Sequence, residues 1–175
     1  MTAPAPARAS RLGFLFVTLL LDTLGLGVAI PVVPGLIGSF LGGDVASLSN
    51  WYGALAAVYS VMQFVFAPIL GALSDQYGRR KVILASLVGA FFDYVLLAVA
   101  PSLGWLVLAR VISGITGASF SAATAYIADV TPPERRAQAF GLVGVAFGLG
   151  FILGPALGGA LGEYGLRLPF WVSAG

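Results

Sequence analysis

The sequence contains no cysteine and no histidine. Without cysteine there are no disulfide frameworks, thiolate metal sites or cysteine nucleophiles. Without histidine, Ser–His catalysis and imidazole metal ligation are excluded as well, so the residues do not point to an enzyme. Charge is also scarce: 9% of the 175 residues are Asp, Glu, Lys or Arg, against roughly 25% in ordinary soluble domains. A water-facing surface cannot be covered with so few charges. What is abundant is apolar, with 59% hydrophobic residues and a mean hydropathy of +0.98. The 24 glycines and 12 phenylalanines suit helices packed together in lipid. The composition describes an all-α integral membrane chain. It implies no cofactor, no resident metal and no nucleic-acid partner.

A hydrocarbon core of about 30 Å needs about 20 apolar residues per helix. Long apolar runs predict spans at roughly 12–38, 50–72, 82–100, 104–128 and 138–162, with a sixth beginning near Leu168 and incomplete at Gly175. No segment alternates with the ten-residue period of a membrane barrel. The first run resembles a signal peptide only in following Arg8 and Arg11. It is too long, contains Asp22 and lacks a cleavage site, so it reads as a retained helix. Residues 1–11 are Pro/Ala-rich at their start and are expected to be disordered on the cytoplasmic side.

The cations orient the chain. Arg8, Arg11, Arg79, Arg80, Lys81, Arg135 and Arg136 share one side if the helices alternate, and Arg167 alone lies opposite. That asymmetry places the amino terminus and the loops after spans two and four in the cytoplasm.

Four polar positions fall within the spans: Asp22, Gln63, Asp93 and Arg110. A charge at the centre of a span costs about 2.5–3.5 kcal/mol even on the lenient insertion scale, so such residues face a cavity or a partner. Asp22 lies too deep for an N-cap. Asp93 suits a proton or substrate role, or a buried structural pair. Gln63, one turn after Tyr59, could line a substrate path or bridge two helices. Arg110 begins a stripe of small and hydroxyl residues, Gly114, Gly117, Ser121 and Thr124; it could also snorkel to the interface. Because Arg stays protonated, an acid must carry any titration, and Asp22 is the expected partner of Arg110.

In the fifth span Gly150, Gly154, Gly158 and Gly162 repeat every fourth residue, with Pro155 and Gly159 beside them. Small residues at this spacing let helix backbones approach closely, and Pro155 frees the Phe151 carbonyl and favours a bend. On the cytoplasmic side, Gly78 supplies a positive φ for a tight reversal. Arg79, Arg80 and Lys81 then oppose the dipole of the next helix, and Asp75 is placed to compensate. Thr131, Pro132 and Glu134 read as a capping box. Asp129 is a candidate charge partner for the Arg79–Lys81 cluster.

Taken together, these motifs resemble the major facilitator superfamily. Gly71-Ala72-Leu73-Ser74-Asp75-Gln76-Tyr77-Gly78-Arg79-Arg80-Lys81 is similar to its signature loop, with Gln76 where a basic residue is usual. Arg110 with Ile112-Ser113-Gly114 resembles the fourth-helix arginine motif linked to proton transfer. Gly150 through Gly159 resembles the fifth-helix motif of drug–proton antiporters. Within the superfamily, Leu21-Asp22-Thr23-Leu24-Gly25-Leu26-Gly27, Pro31-Val32-Val33-Pro34, Trp51-Tyr52-Gly53, Gln63-Phe64, Asp93-Tyr94 and Tyr126-Ile127-Ala128-Asp129 resemble the tetracycline-resistance efflux branch. The likeness runs from residue 12 to the end.

The resemblance implies the major facilitator fold, twelve helices in two halves, of which this chain would supply the N-terminal six-helix half. The missing C-terminal half would be its partner in the cell (inner or plasma) membrane. It further implies proton-coupled antiport of a metal–tetracycline chelate by alternating access, with protons as coupling ion and Mg present only as part of the chelate. Asp22, Gln63, Asp93 and Arg110 would lie in the transport path. Gly71, Ser74, Asp75, Gly78, Arg79, Arg80 and Asp129 would form a cytoplasmic gate, and Gly150, Gly154, Pro155, Gly158 and Gly159 the antiporter helix. The alternatives are export of other amphipathic drugs or sugars, or a non-transporting membrane scaffold.

Overall fold

A computed structural model describes residues 5–42, 44–117 and 119–175, with side chains from Gly13 onward except at 43 and 118–121. The fold is helical throughout: α1 (Ala5–Leu41), α2 (Val45–Tyr77), α3 (Arg79–Val99), α4 (Leu103–Thr116), α5 (Ser119–Val130), a 3₁₀ turn (Pro133–Arg135), α6 (Arg136–Tyr164) and α7 (Leu168–Ala174). Four of these are long and apolar enough to cross a membrane: α1 from Gly13, α2, α3, and α6 with its preceding turn.

Three boundaries depart from expectation. Helix α1 reaches back to Ala5, into the stretch expected to be disordered. Alanine favours the helix, and Pro6 in the first turn removes an N–H that has no helical partner there. The side chains of Arg8 and Arg11 lie outside the described residues.

The expected fourth span, 104–128, is two helices. Helix α4 has 14 residues, a rise of about 21 Å, so a crossing here needs both segments. The interruption follows Thr116 and Gly117, a β-branched residue and the weakest ordinary helix former. The Gly117 carbonyl, at the C-cap of α4, accepts a hydrogen bond from Gln63 Nε2 at 3.2 Å.

The expected capping box also does not form. Thr131 Oγ1 is buried without a hydrogen-bond partner, because Pro132 is extended (φ −57°, ψ 148°) and the turn starts only at Pro133.

Both ends of α2 are held locally, the reversal at Gly78 as the sequence suggests. Asp44 caps α2, accepting from the Ala46 N–H at 3.1 Å and from the Ser47 hydroxyl. Gly78 ends α2 at φ +97° and its N–H bonds the Ser74 carbonyl at 3.1 Å.

The tightest packing joins α1 to α6. A Cβ on Gly154 would lie 2.6 Å from Gly27 Cα, one on Gly158 would lie 2.5 Å from the Val28 carbonyl oxygen, and one on Gly150 would strike Thr23. The Thr23 hydroxyl donates to the Leu19 carbonyl at 2.8 Å and reaches the Ala146 carbonyl of α6 at 3.2 Å. The expected four-glycine ridge therefore uses three of its members. Gly162 meets only the Val32 methyl at 3.9 Å, and Gly159 faces open space.

Two apolar clusters complete the interior. One joins the second half of α1 to α3, α4 and Phe170 of α7; the other joins the first half of α1 to α3, α5 and α6. Helix α2 is exposed along most of its length, Phe64 to 83%.

Candidate functional site

Asp93 and Arg110 come together inside the helix bundle. Arg110 Nη2 donates to both Asp93 carboxylate oxygens, at 3.0 and 2.9 Å. Asp93 is 3% exposed. Taking two charges out of water is repaid only when geometry and hydrogen bonding are good, and a guanidinium reaching both oxygens supplies that. The Ser113 hydroxyl, on the same α4 face, acts on the same carboxylate. Arg110 Nε is buried and makes no hydrogen bond.

This corrects one expectation. The hydrogen-bonding partner of Arg110 is Asp93, not Asp22. Arg110 lies on α4 and Asp93 on α3, consecutive helices that pack against each other, joined by Ala100-Pro101-Ser102. Asp22 sits on α1, half-buried, and acts electrostatically on the phenols of Tyr59 and Tyr94, as do Asp93 and Arg110.

Arg110 also lines a cleft of about 100 Å³ between α1, α2 and α4. Leu26, Ile30 and Val33 form its aliphatic wall, and Tyr52 and Tyr59 face them from α2. Neither Asp22, Gln63 nor Asp93 lines this cleft. Tyr52, named in the sequence only within the Trp51-Tyr52-Gly53 motif and not as a path residue, lies seven residues from Tyr59, which puts both on one face of a helix.

Gln63 bridges α2 and α4 through Gly117, the interhelical alternative of its two readings. Gly114 and Gly117 of the Arg110 stripe pack against the Tyr59–Gln63 turn: a Cβ on Gly114 would lie 2.6 Å from the Tyr59 carbonyl oxygen. These two positions thus serve close helix packing. The Ser121 side chain lies outside the described residues.

The α2–α3 reversal and the end of α5 form a second cluster. Arg79 Nη2 lies 2.9 Å from Asp75 Oδ1, and its Nε donates to Asp129. The two acids offset a cation at the unfavourable end of a helix dipole, and they tie the α2–α3 reversal to the end of α5. The Ser74 hydroxyl, in a residue 1% exposed, bonds the Gly71 carbonyl at 2.7 Å. The Arg80 guanidinium lies over the Phe14 ring, 5.5 Å from its centroid. Arg136 bonds the Ala128 and Thr131 carbonyls at 3.0 and 3.3 Å, closing the C-terminus of α5. On the opposite side, Arg167 donates to the Ala100 carbonyl at the end of α3, at 2.7 Å. Among the described residues no group of acids could hold a metal ion.

Pro155 lies inside α6 with its ring against α1: a Cβ on Gly27 would come 3.0 Å from Pro155 Cδ.

Comparison with known proteins identifies the fold family. The chain is 48% identical over 157 residues to the class C tetracycline resistance protein of Escherichia coli, covering 90% of this chain and 39% of that protein. It is 49% identical over 155 residues to the class D protein of Salmonella ordonez, again covering 39% of the relative. The solved structure of the human organic anion transporter MFSD10 superposes with a TM-score of 0.81 at 32% identity, over 98% of this chain and 45% of that one. The chain thus spans about two fifths of the curated relatives it matches. The family profile described as Major Facilitator Superfamily matches residues 15–175, and this multi-pass membrane chain belongs to that superfamily.

Proposed function

We propose that the chain is the N-terminal half of a proton-coupled antiporter that exports a drug, most simply a metal–tetracycline chelate, by alternating access. It works beside a second helical half in a bacterial inner or plasma membrane, with its amino terminus in the cytoplasm. It is not an enzyme and carries no cofactor; any Mg arrives with the substrate.

The observation that carries this reading is the buried Asp93–Arg110 pair beside the cleft. A transporter driven by protons needs an acid that can load and release one within the bilayer. Arg110 remains a cation throughout, so Asp93 is the member that titrates. When Asp93 takes up a proton, the guanidinium loses its counter-charge, and its donors become available to a group in the cleft. When Asp93 releases the proton, the pair re-forms. The aliphatic α1 wall and the Tyr52 and Tyr59 rings would offer one face to a planar amphipathic molecule, the second half supplying the rest of the site, since the cleft of about 100 Å³ is too small to enclose it alone. The Arg79–Asp75–Asp129 cluster ties the cytoplasmic ends together and must yield for that side to open. The resemblance to tetracycline resistance proteins supports the substrate.

A second reading is an amphipathic organic anion, favoured by the close superposition on the organic anion transporter. The test is accumulation of labelled tetracycline in drug-susceptible cells expressing the complete protein. Lower accumulation than in control cells, abolished by an uncoupler, supports proton-driven export. Equal accumulation with and without the protein removes tetracycline as substrate, and the same assay with an organic anion then decides the second reading.

A further inference from the structure

The backbones of α1 and α3 scarcely approach each other, unlike the tightly packed α1–α6 and α3–α4 pairs. Besides the apolar clusters that join them, one α3 side chain reaches the α1 backbone. A Cβ built on Gly25 of α1 would collide with the Tyr94 hydroxyl and lie 2.7 Å from its Cζ, so the tip of this α3 phenol is seated in the space that the glycine leaves. Gly25 is three residues after Asp22, one turn along α1, and Tyr94 follows Asp93 directly. The phenol thus meets α1 one turn from Asp22 and leaves α3 beside the acid of the ion pair. The charged and titratable groups acting on it are Asp22 from α1, Tyr59 from α2, Asp93 from its own helix and Arg110 from α4.

We propose that the Tyr94 hydroxyl, seated at Gly25, is a positioning group that holds the Asp93–Arg110 pair in register with Asp22, so that the charge on one acid is felt at the other. The ring alone would fill space between helices. The hydroxyl adds a dipole at the point of contact, and a phenolic O–H in an apolar setting seeks a polar partner. The assignment deepens the transport reading, since two acids linked through one dipole respond to protons together. Gly25 is required for it because any side chain there would displace the phenol.

The test uses the complete protein in detergent and needs no substrate. Thermal unfolding is followed for wild type, Gly25→Ala, Tyr94→Phe and Gly25→Ala/Tyr94→Phe. Gly25→Ala lowers the unfolding temperature in the wild-type background and less in the Tyr94→Phe background, where the colliding oxygen is gone and the ring carbon at 2.7 Å remains. Equal losses in both backgrounds overturn the seat. The unfolding temperature of wild type and Tyr94→Phe is then measured against pH. Loss of the hydroxyl displaces the midpoint of that curve by about half a unit or more, and superimposable curves overturn the coupling. Should Gly25→Ala not fold in either background, the pH comparison alone decides. Drug accumulation in cells judges the transport reading separately: its failure, with both unfolding results as expected, removes export and leaves the Tyr94 assignment standing.

Discussion

Gly154→Ala tests whether the α1–α6 contact is as close as the structure has it. The added methyl would stand 2.6 Å from Gly27 Cα, 2.8 Å from the Leu24 carbonyl oxygen and 2.9 Å from the Gly27 carbonyl carbon. All three are backbone atoms, so no side chain can rotate away. Ordinary contact begins near 3.4 Å, and the helices must part by about 0.8 Å to reach it. A gap of about 0.5–1 Å forfeits a quarter to a half of the dispersion well for each atom pair affected, and the Gly150 and Gly158 contacts on the same ridge loosen with it. Overpacking of this kind costs about 1–3 kcal/mol.

Gly159→Ala is the control, because its methyl would enter open space on the same helix. Both changes bring the same gain in helix propensity, so their difference isolates the packing. Unfolding of the complete protein in detergent by titrated SDS should show Gly154→Ala less stable than Gly159→Ala by about 1–3 kcal/mol. Equal stability would refute the close approach.

Three further outcomes are expected. Asp93→Asn and Arg110→Gln should each cost about 3–5 kcal/mol because each strands a buried partner, and the double variant should cost less than the two singles combined; additive losses in the same titration would dissolve the pair. Arg167→Gln should destabilise the end of α3 by about 1–3 kcal/mol through loss of a charged donor to the Ala100 carbonyl, with faster hydrogen exchange at the α3–α4 turn as the readout, and unchanged exchange counting against it. Asp44, outside the spans, has its carboxyl held below the usual range, first by the Ser47 hydroxyl. A folded-state pKa below the unfolded one means that this cap stabilises α2 above the unfolded value, near 4, and is lost as pH falls through the folded one. Exchange at Ala46 should therefore accelerate, after correction for intrinsic rates, only at the acid end. Asp44→Asn should abolish that dependence, and its persistence would assign it to another group.

Much of this was legible in residue order because bilayer constraints act locally. The spans around α1, α2, α3 and α6 are apolar runs of the length a membrane demands, and Gly78 marks a reversal that only a residue without Cβ enters freely. The capping box at Thr131 was misread because Pro132 adopts an extended backbone that withdraws the hydroxyl from the turn. The end of α4 at Thr116 went unseen since the contact beside it, Gln63 on the Gly117 carbonyl, comes from another helix. The role of Tyr94 was hidden for a similar reason: it depends on a glycine 69 positions earlier in the chain.

The amino-acid order by itself therefore determined that this chain crosses a membrane, roughly where α1, α2, α3 and α6 run, and that Asp22, Asp93 and Arg110 must sit away from acyl tails. Scarcity of charge and the cost of a charge in hydrocarbon require as much, whatever the packing. Only the tertiary structure decided which charges meet. An arginine reaches whichever carboxylate the helix crossings bring within about 3 Å, and here the packing of α3 on α4 presents Asp93, while α1, drawn against α6 by three glycines, carries Asp22 on a separate helix.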